Sequence, residues 1–264
     1  IRGLLPLPLG EGRGEGALPC PRLLLSTIEH PSVTALGDHL AQIGHKVDKL
    51  GVDPNGVLQR ADLPDLLAPD TQLVAAMLAN NETGVVQPIA EIAAICNARG
   101  IPFHTDATQA AGKLAIDFQS LGVATLTIAA HKFGGPIGIG ALLVRSDIEL
   151  PPILFGGFQQ AGIRPGTESV ALAVGLATAL ELWQQNRGEW SGRLQELRDH
   201  FELRLCGDPR NHGTPSPITS CQTRIIGFNA TRLPNTSNIA FEGLDRQALF
   251  IALDQARVAC STGS

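Results

Sequence analysis

The sequence has no run of lysine and arginine, and 20 basic against 25 acidic side chains leave a net charge of -5 at pH 7. Nucleic acid is therefore not an expected partner, because a phosphate backbone calls for a concentrated positive patch. Its five cysteines (Cys20, Cys96, Cys206, Cys221 and Cys260) are odd in number and lack C-x-x-C spacing or a nearby histidine pair. Neither a zinc site nor a disulfide framework is indicated, and reduced thiols in a cytoplasmic protein fit best. No stretch reads as a signal peptide, so the Asn-x-Ser/Thr sequons at Asn81, Asn229 and Asn235 are read as chance. The longest apolar stretches, residues 71–79 and 170–182, are too short or too interrupted to span a bilayer, and no membrane association is expected. Methionine occurs once, at Met77, and the chain begins at Ile1. The expectation is a fragment of a longer protein.

A chain of 264 residues can bury a sizeable core, as one large domain or as one domain and part of another. Residues 1–20 combine glycine breaks with Leu-Pro repeats and show no helical or strand period, which predicts a poorly ordered leader. From Arg22 onward, strands alternate with amphipathic helices in the rhythm of an α/β fold. Strands are predicted at 23–27, 45–50, 71–79, 101–107, 124–130 and 138–144, with helices at 31–44, 58–67 and 89–98. An apolar helix over 169–185 and a more charged one over 190–205 follow, with a lobe boundary near Arg187 and Gly188. Beyond a Pro- and Thr-rich stretch at 207–220 come strands at 224–230 and 237–243 and a helix at 245–255. The organisation expected is a leader (1–21), a large domain (22–188) incomplete at its N-terminus, and a truncated small domain (189–264).

Ligands of open α/β sheets gather at the carboxyl ends of the strands, so polar residues directly after an apolar strand carry the interest. Four such places stand out: EHP at 29–31, NNETG at 80–84, HTDATQ at 104–109 and AHKFGGP at 130–136. Lys132, with Gly134 and Gly135 permitting close backbone approach, has the chemistry of a Schiff-base amine. Asp106, at another strand end, has the chemistry of a partner for a protonated pyridine nitrogen. Taken alone, each also fits a bland local role as a solvated lysine or a turn aspartate.

In order along the chain, EHPSV, MLANNETGVVQPI, FHTDATQAAGK, HKFGGPIGIGALLVR, GIRPGTESVA and LPNTSNIAF resemble the motifs of the cysteine desulfurases, in the class V aminotransferase group. The resemblance covers roughly residues 22–264. It implies an α/β protein with a fold type I aminotransferase-like large domain, whose mixed and mainly parallel sheet is flanked by helices, plus a partial C-terminal α+β small domain. It further implies pyridoxal 5'-phosphate as cofactor, L-cysteine as substrate, a homodimer, and sulfur-acceptor or scaffold proteins of iron-sulfur cluster assembly as partners.

Position by position, the resemblance makes His30 a catalytic residue stacked on the cofactor ring, and places Asn81 near the substrate and the phenolic oxygen. Asp106 would bind the pyridine nitrogen, Gln109 the phenolic oxygen, His131 the phosphate, and Thr167 the phosphate in the neighbouring subunit. Lys132 would form the Schiff base and remove the α-proton. Arg164 matches a family position without an assigned contact. Local alternatives exist: His30 as a helix cap, Asn81 and Gln109 as partners of turn amides, and Thr167 as an N-cap.

Departures accompany the match. Ala129 stands where the family has a phosphate-binding serine, and GGFQQAG at 156–162 lacks the usual acidic-basic pair. Residues 1–20 contain nothing like the family's glycine-alanine-threonine phosphate loop. VACSTGS at the end resembles the run-up to the nucleophilic cysteine, which would lie two residues beyond Ser264, so Cys260 is not expected to be that thiol and the fragment is expected to be inactive. Cysteine or selenocysteine lyase chemistry on the same scaffold, and a non-catalytic α/β binding module, are the rival readings.

Overall fold

A computed structural model describes residues 21–207 and 222–263. The leader expected at 1–20 and the Pro- and Thr-rich stretch from 208 to 220 lie outside the described residues. Six strands form one sheet: β1 (Arg22–Ser26), β2 (Lys46–Leu50), β3 (Thr71–Ala75), β4 (Phe103–Asp106), β5 (Thr125–Ala129) and β6 (Gly140–Val144). Their order is β2-β1-β3-β4-β5-β6; the first five are parallel and β6 runs antiparallel to β5.

β1 and β3 lie inside the sheet, and their apolar residues are buried on both faces. Leu23, Leu24 and Leu25 of β1 are all fully buried. Successive side chains point to opposite faces. Leu23 and Leu25 thus join Leu73, Ala75 and, from helix α1 (Pro31–Gln42), Val33 and Leu40. Leu24 joins the larger core on the other face, with Val74, Phe103 and, from helix α3 (Ile89–Ala98), Ile89 and Ile92. Gly37 sets the approach of α1 to the sheet, since a Cβ there would lie 2.5 Å from Leu25 Cδ1.

Three expectations need correction. The predicted helix over 58–67 shrinks to the single turn α2 (Leu63–Leu66), because Pro64 favours a helix start and the Leu58 N–H instead donates to Gln87 Oε1 at 2.9 Å. The two helices expected over 169–185 and 190–205 are one: after the short α4 (Phe118–Leu121), α5 (Val170–Cys206) runs unbroken for 37 residues. A lone glycine costs a helix only about 1 kcal/mol, and no proline stands beside it to force an end. Finally, the strand expected at 224–230 stops early. It is β7 (Thr223–Ile225), paired antiparallel with β8 (Ile239–Phe241), and Gly227 then turns with φ +71° against Val85. The last helix, α6 (Arg246–Gln255), is capped by Asp245, which accepts from the Ala248 N–H at 2.8 Å.

The segment after β7 is tied to the segment that follows β3. Val86 N–H donates to Thr231 O and Leu233 N–H to Gly84 O, both at 2.8 Å. Between those two residues Arg232 makes a two-pronged ion pair with Glu202 of α5, at 2.6 and 2.8 Å, and each side chain is only 5% exposed.

His104 of β4 is buried, its Nδ1 2.8 Å from Thr125 Oγ1, and burial pushes its pKa down to about 4. Between pH 4 and 6.5 the unfolded chain binds a proton that the folded chain refuses, so stability rises with pH across that window. Acidification from pH 7 to 4 is expected to remove up to about 3 kcal/mol through this group. Urea unfolding of the protein and of His104→Asn at both pH values checks it: the variant should lose this part of the pH dependence.

Candidate active site

From β1 the chain crosses through α1 to β2 on one side, whereas β3 lies on the other side of β1. The carboxyl ends of β1 and β3 therefore form a topological switch point, where crossovers diverge and leave a crevice. The segment after β1 carries Glu29 and His30, and the segment after β3 carries Asn80 and Asn81. Asp106 is the last residue of β4, and Lys132 lies in the 3-10 turn Ala130–Phe133 directly after β5. Since β1, β3, β4 and β5 are parallel, all these residues belong to one edge of the sheet.

Asp106 is half-buried and oriented by its neighbours: Oδ1 accepts from the Thr108 N–H at 2.8 Å and from Thr127 Oγ1 at 3.3 Å. Lys132 and His131 are exposed, in a turn closed by Gly134 at φ +83°. Gly135 follows, and a Cβ there would meet Ala130 Cβ at 2.8 Å, so the backbone folds tightly back on itself. Helix α5 abuts this loop where Gly175 faces Pro136: a Cβ would lie 3.0 Å from the Pro136 ring.

The local alternatives sort themselves residue by residue. His30 is the N-cap of α1: its Nδ1 accepts from the Ser32 N–H at 3.2 Å and sits 2.9 Å from Ser32 Oγ. With Nδ1 accepting, the neutral ring carries its proton on Nε2, and the ring itself is exposed. The turn after β3 is held by Asn80, not Asn81. Asn80 Oδ1 accepts from Glu82 N–H, Thr83 N–H and Thr83 Oγ1, while its amide donates to Ile28 O at 3.1 Å. Gln109 serves no turn amide, because its Oε1 accepts from Lys113 Nζ at 3.0 Å. Thr167 is exposed and lies two residues before Ser169, which is the N-cap of α5.

Two residues that sequence reasoning passed over belong to this edge. Glu29 is buried, accepts from the Met77 N–H at 2.7 Å and contacts Ser26 Oγ, bridging the ends of β1 and β3. Burial pushes its carboxyl up, and the nearby negative charge of Asp106 adds to that against the hydrogen bonds from Ser26 and Met77. The other is Lys113, whose partner Gln109 is four residues away. Its place in EHP and the Q-x-x-x-K spacing were the available signals.

The described thiols offer no activated nucleophile at this edge. Cys96 is buried in α3 with its thiol pushed up to about 12, burial also raises Cys206, and Cys260 is exposed near the end of the chain. A nucleophilic thiol needs the opposite setting, with a cation or helix N-terminus favouring the thiolate.

Residues 19–264 match the family described as Aminotransferase class-V. The chain is 37% identical over 242 residues to a cysteine desulfurase of Enterobacter agglomerans, covering 92% of this chain and 57% of that protein. It is equally identical to cysteine desulfurase NifS of Azotobacter vinelandii, covering 92% and 58%. Among solved structures, a NifS-like protein from Rickettsia africae ESF-5 superposes with a TM-score of 0.80 at 31% identity, over 92% of this chain and 64% of that one. The chain thus spans less than two thirds of the length of these relatives.

Proposed function

Because this chain belongs to the class-V aminotransferase family, we propose that the whole protein is a pyridoxal-phosphate enzyme that converts L-cysteine to L-alanine and passes the sulfur to a thiol. The observation that carries this reading is the placement of Asp106 and Lys132 at the carboxyl ends of the adjacent parallel strands β4 and β5, in a chain 37% identical to cysteine desulfurases. The donor set fits the cofactor: an amine on a glycine-flanked turn, a carboxylate held by Thr108 and Thr127, an amide at Gln109 and an exposed imidazole at His30.

Bound pyridoxal phosphate supplies the electron sink that acidifies the α-carbon of an amino acid. Lys132 is the residue that would hold the cofactor, through Nζ, and the same atom would take the α-proton. Asp106 would set a negative charge against the ring nitrogen and so favour its protonated form. Gln109 would donate to the phenolic oxygen, His30 would cover the ring face, and Asn81 would contact the substrate side. His131 would hold the phosphate, and Thr167 would reach the phosphate in a neighbouring subunit. Ala129 contributes no hydroxyl to that phosphate.

A homodimer follows from the role of Thr167 and is supported by the surface around it. Ile137 is 86% exposed, Phe155 84%, Phe158 93% and Val170 71%, and large apolar side chains left in water favour a covering partner. A symmetric partner would cover these segments and bring GIRPGT at 162–167 to the other subunit's site. Sulfur-acceptor or scaffold proteins of iron-sulfur cluster assembly complete the proposed setting, in the cytoplasm; among the described residues no helix is long and apolar enough to cross a membrane. With saturating cofactor, the whole protein is expected to release alanine from L-cysteine and to sediment as a dimer. Absence of alanine, or a cofactor-loaded monomer at high concentration, would overturn this reading.

A further inference from the structure

Resting on the cofactor site just proposed, we infer that Lys113 is a positioning residue: its ammonium grips Oε1 of Gln109 so that the amide offers Nε2 to the cofactor's phenolic oxygen. Lys113 Nζ donates to two acceptors of one residue, Gln109 O at 2.8 Å and Gln109 Oε1 at 3.0 Å. An ammonium has three donors and no acceptor, whereas an amide has one end of each kind. The bond to Oε1 therefore fixes which way round the amide lies and leaves Nε2 as its donating end. A phenolic oxygen that carries negative charge needs a donor, so the reversed amide would repel it.

The surrounding structure holds Lys113 in place. The backbone from Ala107 to Leu114 is a run of turns, with Leu114 N–H donating to Ala110 O at 2.9 Å, and Ser191 Oγ of α5 donates to Lys113 O at 3.3 Å. Gly112, at φ +71°, leaves the space that the Phe133 side chain fills, so this turn packs directly against the turn that carries Lys132. Lys113 is partly buried, and burial followed by the positive charge of Lys132 lowers its pKa to about 8. At neutral pH it is still mainly an ammonium, and the charge needed to hold Oε1 is present.

The test compares Lys113→Met, Lys113→Gln, Gln109→Ala and the Lys113→Met/Gln109→Ala pair in the whole protein loaded with pyridoxal phosphate. The readouts are the pH midpoint of the visible absorption change of the bound cofactor and the Kd for pyridoxal phosphate. Nε2 stabilises the phenolic anion most when the Lys132 nitrogen has given up its proton, so loss of that donor raises the midpoint. Lys113→Met is expected to raise it by about one pH unit and to weaken binding about tenfold, in line with one charge-assisted hydrogen bond. Lys113→Gln, which can hold the amide either way round, should give a smaller shift in the same direction and serves if the methionine variant does not fold. In the Gln109→Ala background, Lys113→Met should add little, because the two act as one unit. A midpoint unchanged in both Lys113 variants, or an additive shift in the pair, would overturn the inference. A wild-type protein that takes up no cofactor would instead overturn the functional reading on which it rests.

Discussion

Replacing Lys132 by alanine is expected to abolish borohydride-stable labelling by pyridoxal phosphate and to lower turnover by at least about ten-thousand-fold. The sequence has four lysines, Lys46, Lys49, Lys113 and Lys132, so the labelled peptide identifies the anchor with little ambiguity. Lys46 and Lys49 lie on β2, and Lys46 pairs with Asp70. Lys113 is engaged with Gln109. Loss of the covalent anchor and loss of the base fall on one atom, Nζ of Lys132, and general-base catalysis alone typically contributes about a hundred- to ten-thousand-fold. Asp106→Ala should retain labelling but weaken cofactor binding by about ten- to a hundred-fold, the worth of one charge-assisted hydrogen bond. Mass spectrometry of the reduced, digested protein checks the first result. Full labelling of the Lys132→Ala variant would remove Lys132 from the mechanism.

The second large effect concerns stability. Glu202→Leu is expected to cost about 3 to 5 kcal/mol, because it leaves the Arg232 guanidinium buried without its counter-charge. That is a large part of the 5–15 kcal/mol by which a typical domain is stable. The pair is 5% exposed on both sides, so solvent cannot replace the lost partner. Glu202→Leu combined with Arg232→Met should recover most of the loss, since two apolar side chains of similar bulk need no charge balance. Urea unfolding midpoints and slopes decide the matter: a single variant as stable as the parent would show that the ion pair does not anchor the chain at 231–233 to α5.

Much of this architecture was legible because a parallel sheet writes itself as apolar runs ended by polar residues. The runs at 23–27, 71–79, 101–107 and 124–130 hold β1, β3, β4 and β5, and the helix expected at 89–98 is α3. Asp106 and Lys132 were visible for the same reason, each being charged and placed just past such a run. What escaped depends on contacts between distant segments. Glu29 gains its setting from Met77, 48 residues away, and its place in EHP marks a strand end without showing that the carboxylate is buried. Asn80 and Asn81 are adjacent and identical in type, so only the fold decides that Asn80 closes the turn. The continuity of α5 was hidden by Gly188, whose small helix penalty reads the same in a helix that breaks and in one that does not.

That continuity has a mechanical corollary. At 1.5 Å per residue, the 37 residues of α5 make a rod roughly 55 Å long. Near one end Gly175 rests on Pro136, beside the turn of Lys132, and near the other Glu202 grips Arg232. The 27-residue span between those contacts is roughly 40 Å long and is touched midway where Ser191 Oγ donates to Lys113 O. A tilt of about 5° at Gly175 that broke this bond would displace Glu202 by roughly 3.5 Å. A two-pronged ion pair does not survive such a displacement. The seating of a glycine against a proline ring beside Lys132 thus sets the alignment of a clasp far along the same rod.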